Sequence, residues 1–156
     1  EHDDRHPRTG GNGASRGVKA VVQRVSRAAV RAGGEEVSAI GAGLLVLLGV
    51  GRDDTPEIAD RLAAKLLALR VFPDCAGRMN EPLGERQVLC VSQFTLYGDA
   101  RRGNRPSFVE AAQPELAVPL YERVCDALGA ERGRFGEHME VELVGDGPVT
   151  IVLEVR

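Results

Sequence analysis

The chain has 156 residues, 43% of them hydrophobic and 28% charged, with a formal net charge of −3. That balance fits one soluble globular domain burying about two-thirds of its unfolded surface, and it excludes coating nucleic acid through bulk positive charge. Four Phe, two Tyr and no Trp exclude a broad base-stacking platform, so a nucleic-acid partner would have to be gripped locally.

Cys75, Cys90 and Cys125 are odd in number, far apart and outside any CxxC or Cys/His cluster. This argues against a disulfide framework and against structural zinc. No apolar run approaches the roughly 20 residues of a membrane span, and no signal-peptide pattern occurs, so no membrane partner and a cytoplasmic location are the default expectations.

Residues 1–17, EHDDRHPRTGGNGASRG, are charged, Gly-rich and almost free of apolar side chains. They cannot repay the entropy of ordering and read as a disordered tail or an added extension. Residues 18–156 show no internal repeat and no linker, and read as a single α+β domain.

Val18–Val30 has the Val-rich composition of a strand. Alternation puts Arg24 on the face of Val22, where an arginine either keeps its head in water at a sheet edge or turns inward to hold a partner loop. Gly33-Gly34 is a hairpin turn, Glu36–Ile40 returns, and Leu44–Val50 is an all-apolar, central strand. Asp54-Thr55-Pro56-Glu57 opens a helix with Asp as its cap, and Ile58, Leu62, Leu66 and Leu69 form its buried stripe. Phe72–Arg86, punctuated by Pro73, Gly77, Pro82 and Gly84, reads as a long surface loop.

Val88-Leu89-Cys90-Val91 begins another strand buried on both faces. It turns polar at Ser92 and Gln93, while Phe94 and Leu96 continue the apolar series. Burying such polar groups unpaired costs about 1–3 kcal/mol each, so they either cap a turn or line a pocket. The residues alone leave both readings open. Arg101, Arg102 and Arg105 follow in a Gly-containing loop, which is either solvated surface or a small phosphate grip.

Ser107–Ala112 and Pro114–Leu128 read as helices, the second burying Leu116, Leu120, Val124 and Leu128. Phe135–Val144 and Val149–Val155 alternate as strands, with Gly145-Asp146-Gly147-Pro148 as the turn of a hairpin between them.

The histidines are His2, His6 and His138. A nucleophile–histidine arrangement at Ser92 or Thr95 would need His138, which the alternation puts on a polar strand face. No GxxxxGK[ST], GxGxxG or carboxylate cluster occurs, so no cofactor or metal is implied. An enzyme built from these residues would act on an already reactive bond, using backbone donors and the substrate's own groups.

The blocks VKAVVQRVSRAAV, LRVF, VSQFTLYGD, GNRPSF, FGEHM and DGPVT, in this order from about Val18 to Glu154, closely resemble the D-aminoacyl-tRNA deacylase family, formerly D-tyrosyl-tRNA deacylase. The resemblance implies mostly antiparallel sheets in a barrel-like arrangement with two or three packing helices. It implies a homodimer with active sites at the interface, and hydrolysis of the ester joining a D-amino acid to the terminal adenosine of tRNA. By motif, Ser92, Gln93, Phe94 and Thr95 would line the catalytic site. Gly147-Pro148 of the opposite subunit would enter it as a chirality filter with a cis peptide bond, and Arg24 would hold that loop. Phe135 and Met139 would flank the adenosine pocket.

The family usually carries Asn where this chain has Gly145, a change that adds flexibility of about 0.5–1 kcal/mol and removes a turn-stabilising side chain. A deacylase with relaxed chirality is therefore one alternative. A non-catalytic module binding tRNA ends is another, favoured only by a broken strand-end motif, and Ser92 to Leu96 is intact.

Overall fold

In the computed structural model, which describes residues 17–156, the sheet is assembled along one strand, β1 (Val18–Ala32). The tail expected over residues 1–17 lies, apart from Gly17, outside the described residues. One edge of β1 pairs antiparallel with β2 (Glu35–Ile40) and then with β3 (Gly43–Gly49). The positive φ angles of Gly33 and Gly34, +58° and +79°, make the tight turn between β1 and β2.

Two short strands, β4 (Phe72–Pro73) and β5 (Met79–Glu81), form a separate ribbon, followed by β6 (Gln87–Ser92). β6 lies parallel to β3, and β7 (Glu131–Arg132) parallel to β6. The last strand, β8 (Glu140–Val155), covers the free edge of β1. The Ser38 hydroxyl of β2 donates to the Arg132 carbonyl of β7, so the sheet curls into a nearly closed barrel.

Helices α1 (Pro56–Ala68) and α2 (Pro114–Leu128) cover one face. Beneath them Val18, Ala20, Val22, Leu44, Val46, Leu48, Val88 and Cys90 form the main core. Val25, Ala28, Val30, Leu45, Leu89 and Val91 form a second cluster on the other face. Burial on both faces is what the unbroken apolar runs of β3 and β6 require. The Tyr121 hydroxyl of α2 ties the layers together by donating to the Cys90 carbonyl at 2.7 Å. No described helix is long and apolar enough to cross a membrane.

Several expectations change. Thr55, not Asp54, caps α1, its hydroxyl accepting from Ile58 N at 3.3 Å. Ala59, Leu62, Ala63 and Leu66 are the residues α1 buries, with Ile58 and Leu69 at the margin. In the loop expected at the surface, Phe72 and Leu83 are buried.

Residues 107–112 are not helical. Asp99 and Ser107 bridge, Ala112 N donates to Val50 O at 2.9 Å, and Arg52 N donates to Glu110 O at 3.0 Å. Backbone partners beyond β3 have outcompeted a short helix whose own bonds are weak.

The expected hairpin at Gly145–Pro148 is absent, because both alternating segments belong to one strand pairing with β1. Gln23 is opposite Thr150 and Val25 opposite Gly145, so β8 advances five residues while β1 advances two. Residues 146–149 are thereby extruded as a bulge, and the Gly147–Pro148 bond is cis. A proline without an N–H is accommodated where the ladder is already broken.

The two glycines of this bulge differ. A Cβ on Gly145 would meet nothing within 4 Å, whereas Gly147 has φ +124° and its Cβ would lie 3.0 Å from Arg24 Nη2. Gly145→Ala should therefore raise stability by about 0.4–1 kcal/mol, while Gly147→Ala should lower it by at least a similar amount. Denaturant melts of the two variants check this, and equal effects would contradict the bulge geometry.

Candidate functional site

The polar end of β6 emerges where β3 stops. Ser92 is opposite Leu48, and Gln93 N donates to Leu48 O at 2.7 Å. The chain then winds into a 3-10 turn, Phe94–Tyr97, instead of continuing as a strand. Leu96 N bonds to Gln93 O at 3.2 Å, so the preceding Phe94 and Thr95 N–H groups have no acceptor within the turn. The Gln93 amide donates to the Thr95 hydroxyl.

Phe94 is a large apolar side chain left 55% exposed. Phe108 packs edge-on against it, centroids 5.2 Å apart and planes at 73°. Together they rim a cavity of about 590 Å³. Such a volume is in the range of small-ligand sites. Ser92, Gln93 and Phe94 form one wall, and Phe135 and Met139 another.

Local packing fixes both walls. Phe135 rests on Tyr121, with centroids 6.1 Å apart, and Arg134 N donates to Met139 Sδ at 3.3 Å. Behind the 3-10 turn, Lys19 Nζ donates to Leu96 O at 3.3 Å and lies 4.6 Å from the centre of the Tyr97 ring.

Thr95 adjoins this pocket through Gln93 without lining it. Arg24, Gly147 and Pro148 lie elsewhere. Arg24 is level with Leu44 and Val88, Ser92 with Leu48, a separation of four residues or about 13 Å along the strands.

At that far end Arg24 turns inward, its side chain 12% exposed. Nη1 donates to Val71 O at 2.7 Å, Nε to Asp146 O at 3.1 Å, and Nε also pairs with the Asp146 carboxylate at 3.4 Å.

Among the pocket residues missed from sequence are Phe108 and His138. Phe108 was hidden by the helical reading of 107–112, and His138 by extending strand alternation too far upstream. His138 sits in the loop before β8 and lines the pocket. Among the described residues no hydrogen bond joins it to Ser92 or Thr95, and no group of side chains has the makings of a metal site.

The arginine loop springs from the rim beside Phe108. Arg101 grips Asp99 through Nε at 2.9 Å and Nη2 at 2.7 Å, and these bonds hold the Asp99 carboxyl down at about 2. Arg102 and Arg105 are exposed and make no ion pair among the described residues.

The family profile described as D-Tyr-tRNA(Tyr) deacylase matches residues 21–154. A D-aminoacyl-tRNA deacylase of Symbiobacterium thermophilum is 58% identical over 144 residues, covering 88% of this chain and 95% of that one. Another, of Anaeromyxobacter dehalogenans, is 58% identical over 146 residues, covering 89% and 98%. Among solved structures, the c-Myc DNA unwinding element binding protein superposes with TM-score 0.82 at 42% identity, covering 87% of this chain and 97% of that one. A probable eukaryotic D-amino acid tRNA deacylase superposes with TM-score 0.78 at 18% identity, covering 89% and 100%, which bears on the fold alone. The class these matches define is a barrel-like α+β deacylase. The chain belongs to the D-Tyr-tRNA(Tyr) deacylase family.

Proposed function

We propose that this protein hydrolyses the ester between a D-amino acid and the 3′-terminal adenosine of tRNA, acting as a cytoplasmic homodimer. The observation that carries the reading is the convergence of Ser92, Gln93 and Phe94 with Phe135 and Met139 on one pocket, in a chain of this family. Phe135 and Met139 offer an apolar wall for the adenine, and the strand end meets the ester.

An aminoacyl ester is already activated, and the neighbouring ribose hydroxyl assists its cleavage. The protein then needs only to hold the ester and stabilise the developing oxyanion, a task suited to the Phe94 and Thr95 N–H groups. Thr95 is not the nucleophile in this reading, since its hydroxyl accepts from Gln93 and has no base beside it.

Arg24, which holds the bulge, stands about 13 Å along the strands from Ser92 of its own chain, and this separation supports a filter supplied by a second copy. On β8 the Val152 side chain, 75% exposed, offers apolar surface for that partner. Inserted, the bulge would refuse the direction in which an L side chain leaves the α-carbon without contacting a D side chain. Arg24 tethers Asp146 through backbone and carboxylate alike, which supports a rigid filter despite Gly145.

Assaying D- and L-aminoacyl-tRNA side by side tests the reading. The wild-type protein should cleave the D-ester in strong preference, Arg24→Ala should erode that preference, and Thr95→Ala should keep most of the D-activity. Equal cleavage of both enantiomers by wild type, or a trapped acyl-Thr95 species, would overturn it.

The tRNA phosphates are assigned to Arg102 and Arg105, because Arg101 is committed to Asp99. Neutralising the pair should weaken tRNA binding and flatten the logarithmic salt slope by about two units, roughly one per lost contact. Neutralising Arg101 alone should change the slope far less, and an unchanged slope in the double variant returns the loop to plain solvated surface.

A further inference from the structure

Asp54 is the buried charged side chain among the described residues, 5% exposed, and no step proposed so far uses it. Its Oδ2 accepts from Gly51 N at 2.6 Å, and its own N–H donates to Gly51 O at 3.1 Å. These bonds close the turn that follows β3, and that turn touches both sides of the pocket. On one side the neighbouring Val50 and Arg52 backbones fasten the segment carrying Phe108, Ala111 and Ala112. On the other stands Tyr97, the last residue of the 3-10 turn. It packs so tightly on Gly51 that a Cβ there would lie 2.7 Å from its hydroxyl.

Tyr97 is 4% exposed, and its buried hydroxyl completes no hydrogen bond among the described residues. The Asp54 carboxyl and the Tyr97 hydroxyl meet at Gly51, the one accepting from its N–H and the other lying against its α-carbon. An orphaned buried donor next to a buried acceptor is a costly arrangement unless the bond closes in the working state.

We propose that Asp54 is a positioning residue for the ester hydrolysis: as a carboxylate it receives the Tyr97 hydroxyl and the Gly51 N–H together, and so sets the Phe94–Thr95 backbone against the opposite wall. The inference rests on the deacylase reading, and Asp54 itself touches no substrate.

Burial, the largest influence, pushes the Asp54 carboxyl up to about 6, against the pull of the Gly51 N–H, and Asp53 and Glu154 add to the rise. Burial, with the nearby charges of Asp54, Glu154 and Glu110, drives the Tyr97 phenol far above its usual range, so it remains a donor. Lys19 is the cation over the Tyr97 ring. A carboxyl raised from 3.8 to about 6 favours the folded state fully below 3.8 and loses that contribution as pH climbs through 6. Ionised Asp54 thus weakens the fold while it aligns the site.

The experiment measures kcat and KM for D-aminoacyl-tRNA from about pH 5 to about pH 8 in wild type, Asp54→Asn, Tyr97→Phe and the double variant. Ratios to wild type cancel the ester's own pH dependence. The wild-type to Asp54→Asn ratio in kcat should be near one at the acid end, and rise about tenfold through a midpoint near 6, with KM unchanged. Tyr97→Phe should lose a comparable factor at the alkaline end, and the double variant no more than either single one. A ratio independent of pH, or losses that multiply in the double variant, overturns the inference. A wild-type protein inert at every pH overturns the deacylase reading and this inference with it, a different and recognisable result.

Discussion

The ladder between β1 and β8 is the contact on which the rest of the molecule depends. It runs from Val18 opposite Val155 to Arg31 opposite Glu140, and it closes the sheet edge that would otherwise stand open. The mismatch of five residues against two in its middle extrudes the Gly147-Pro148 segment, and Arg24 stands on β1 at that gap. Its guanidinium supplies donors where the ladder has lost them, bonding Val71 O and Asp146 O from a site with little water. Hydrogen bonds to a charged group contribute about 1.5–3 kcal/mol each, enough to hold a short extruded segment in one place. The same strand, through Lys19 near its start, grips Leu96 O behind the pocket. One strand therefore supports both ends of the proposed chemistry.

Under the proposed reading the chemistry is carried by backbone more than by side chains. Among the described residues no hydrogen bond pairs a nucleophile with a base in the pocket, and the Thr95 hydroxyl is tied to the Gln93 amide. In that reading close packing substitutes for catalytic groups. Gly49 and Gly51 let the 3-10 turn lie directly on the end of β3, where a Cβ would press to 3.1 Å from Gln93 O or 2.7 Å from the Tyr97 hydroxyl. A backbone donor held that firmly suits an oxyanion better than a mobile side chain does, because it needs no reorganisation during reaction.

Much of this was legible in the sequence. The unbroken apolar runs at Leu44–Leu48 and Val88–Val91 announced strands buried on both faces, while the polar residues after the second run left a turn cap and a pocket wall equally open, and Ser92 and Gln93 take the second place. The stripe Leu62, Leu66 and its counterpart Leu120, Val124, Leu128 announced both helices. The failures share a cause: a local pattern cannot reveal a distant backbone partner. Alternation on either side of Gly145–Pro148 is the same whether the halves pair with each other or with β1. Residues 107–112 look helical until Val50 and Arg52 claim their hydrogen bonds. Asp54 resembles a helix cap, yet the neighbouring Thr55 fills that role and leaves Asp54 to Gly51. Arg24 was ambiguous between edge and interior, and only its bond to Val71 O decides.

Under the proposed reading a pocket and its filter belong to different chains, which subunit mixing tests most directly. One chain would carry a defective bulge, Gly147→Val with Pro148→Ala. The other would carry a defective pocket, Gln93→Ala with Phe94→Ala. Each alone should lose enantioselective cleavage of D-aminoacyl-tRNA. Random mixing makes half the dimers mixed, and each mixed dimer rebuilds one complete site, so about a quarter of wild-type activity should return with its D-preference. No recovery on mixing, with mixed dimers demonstrably formed, would contradict the account.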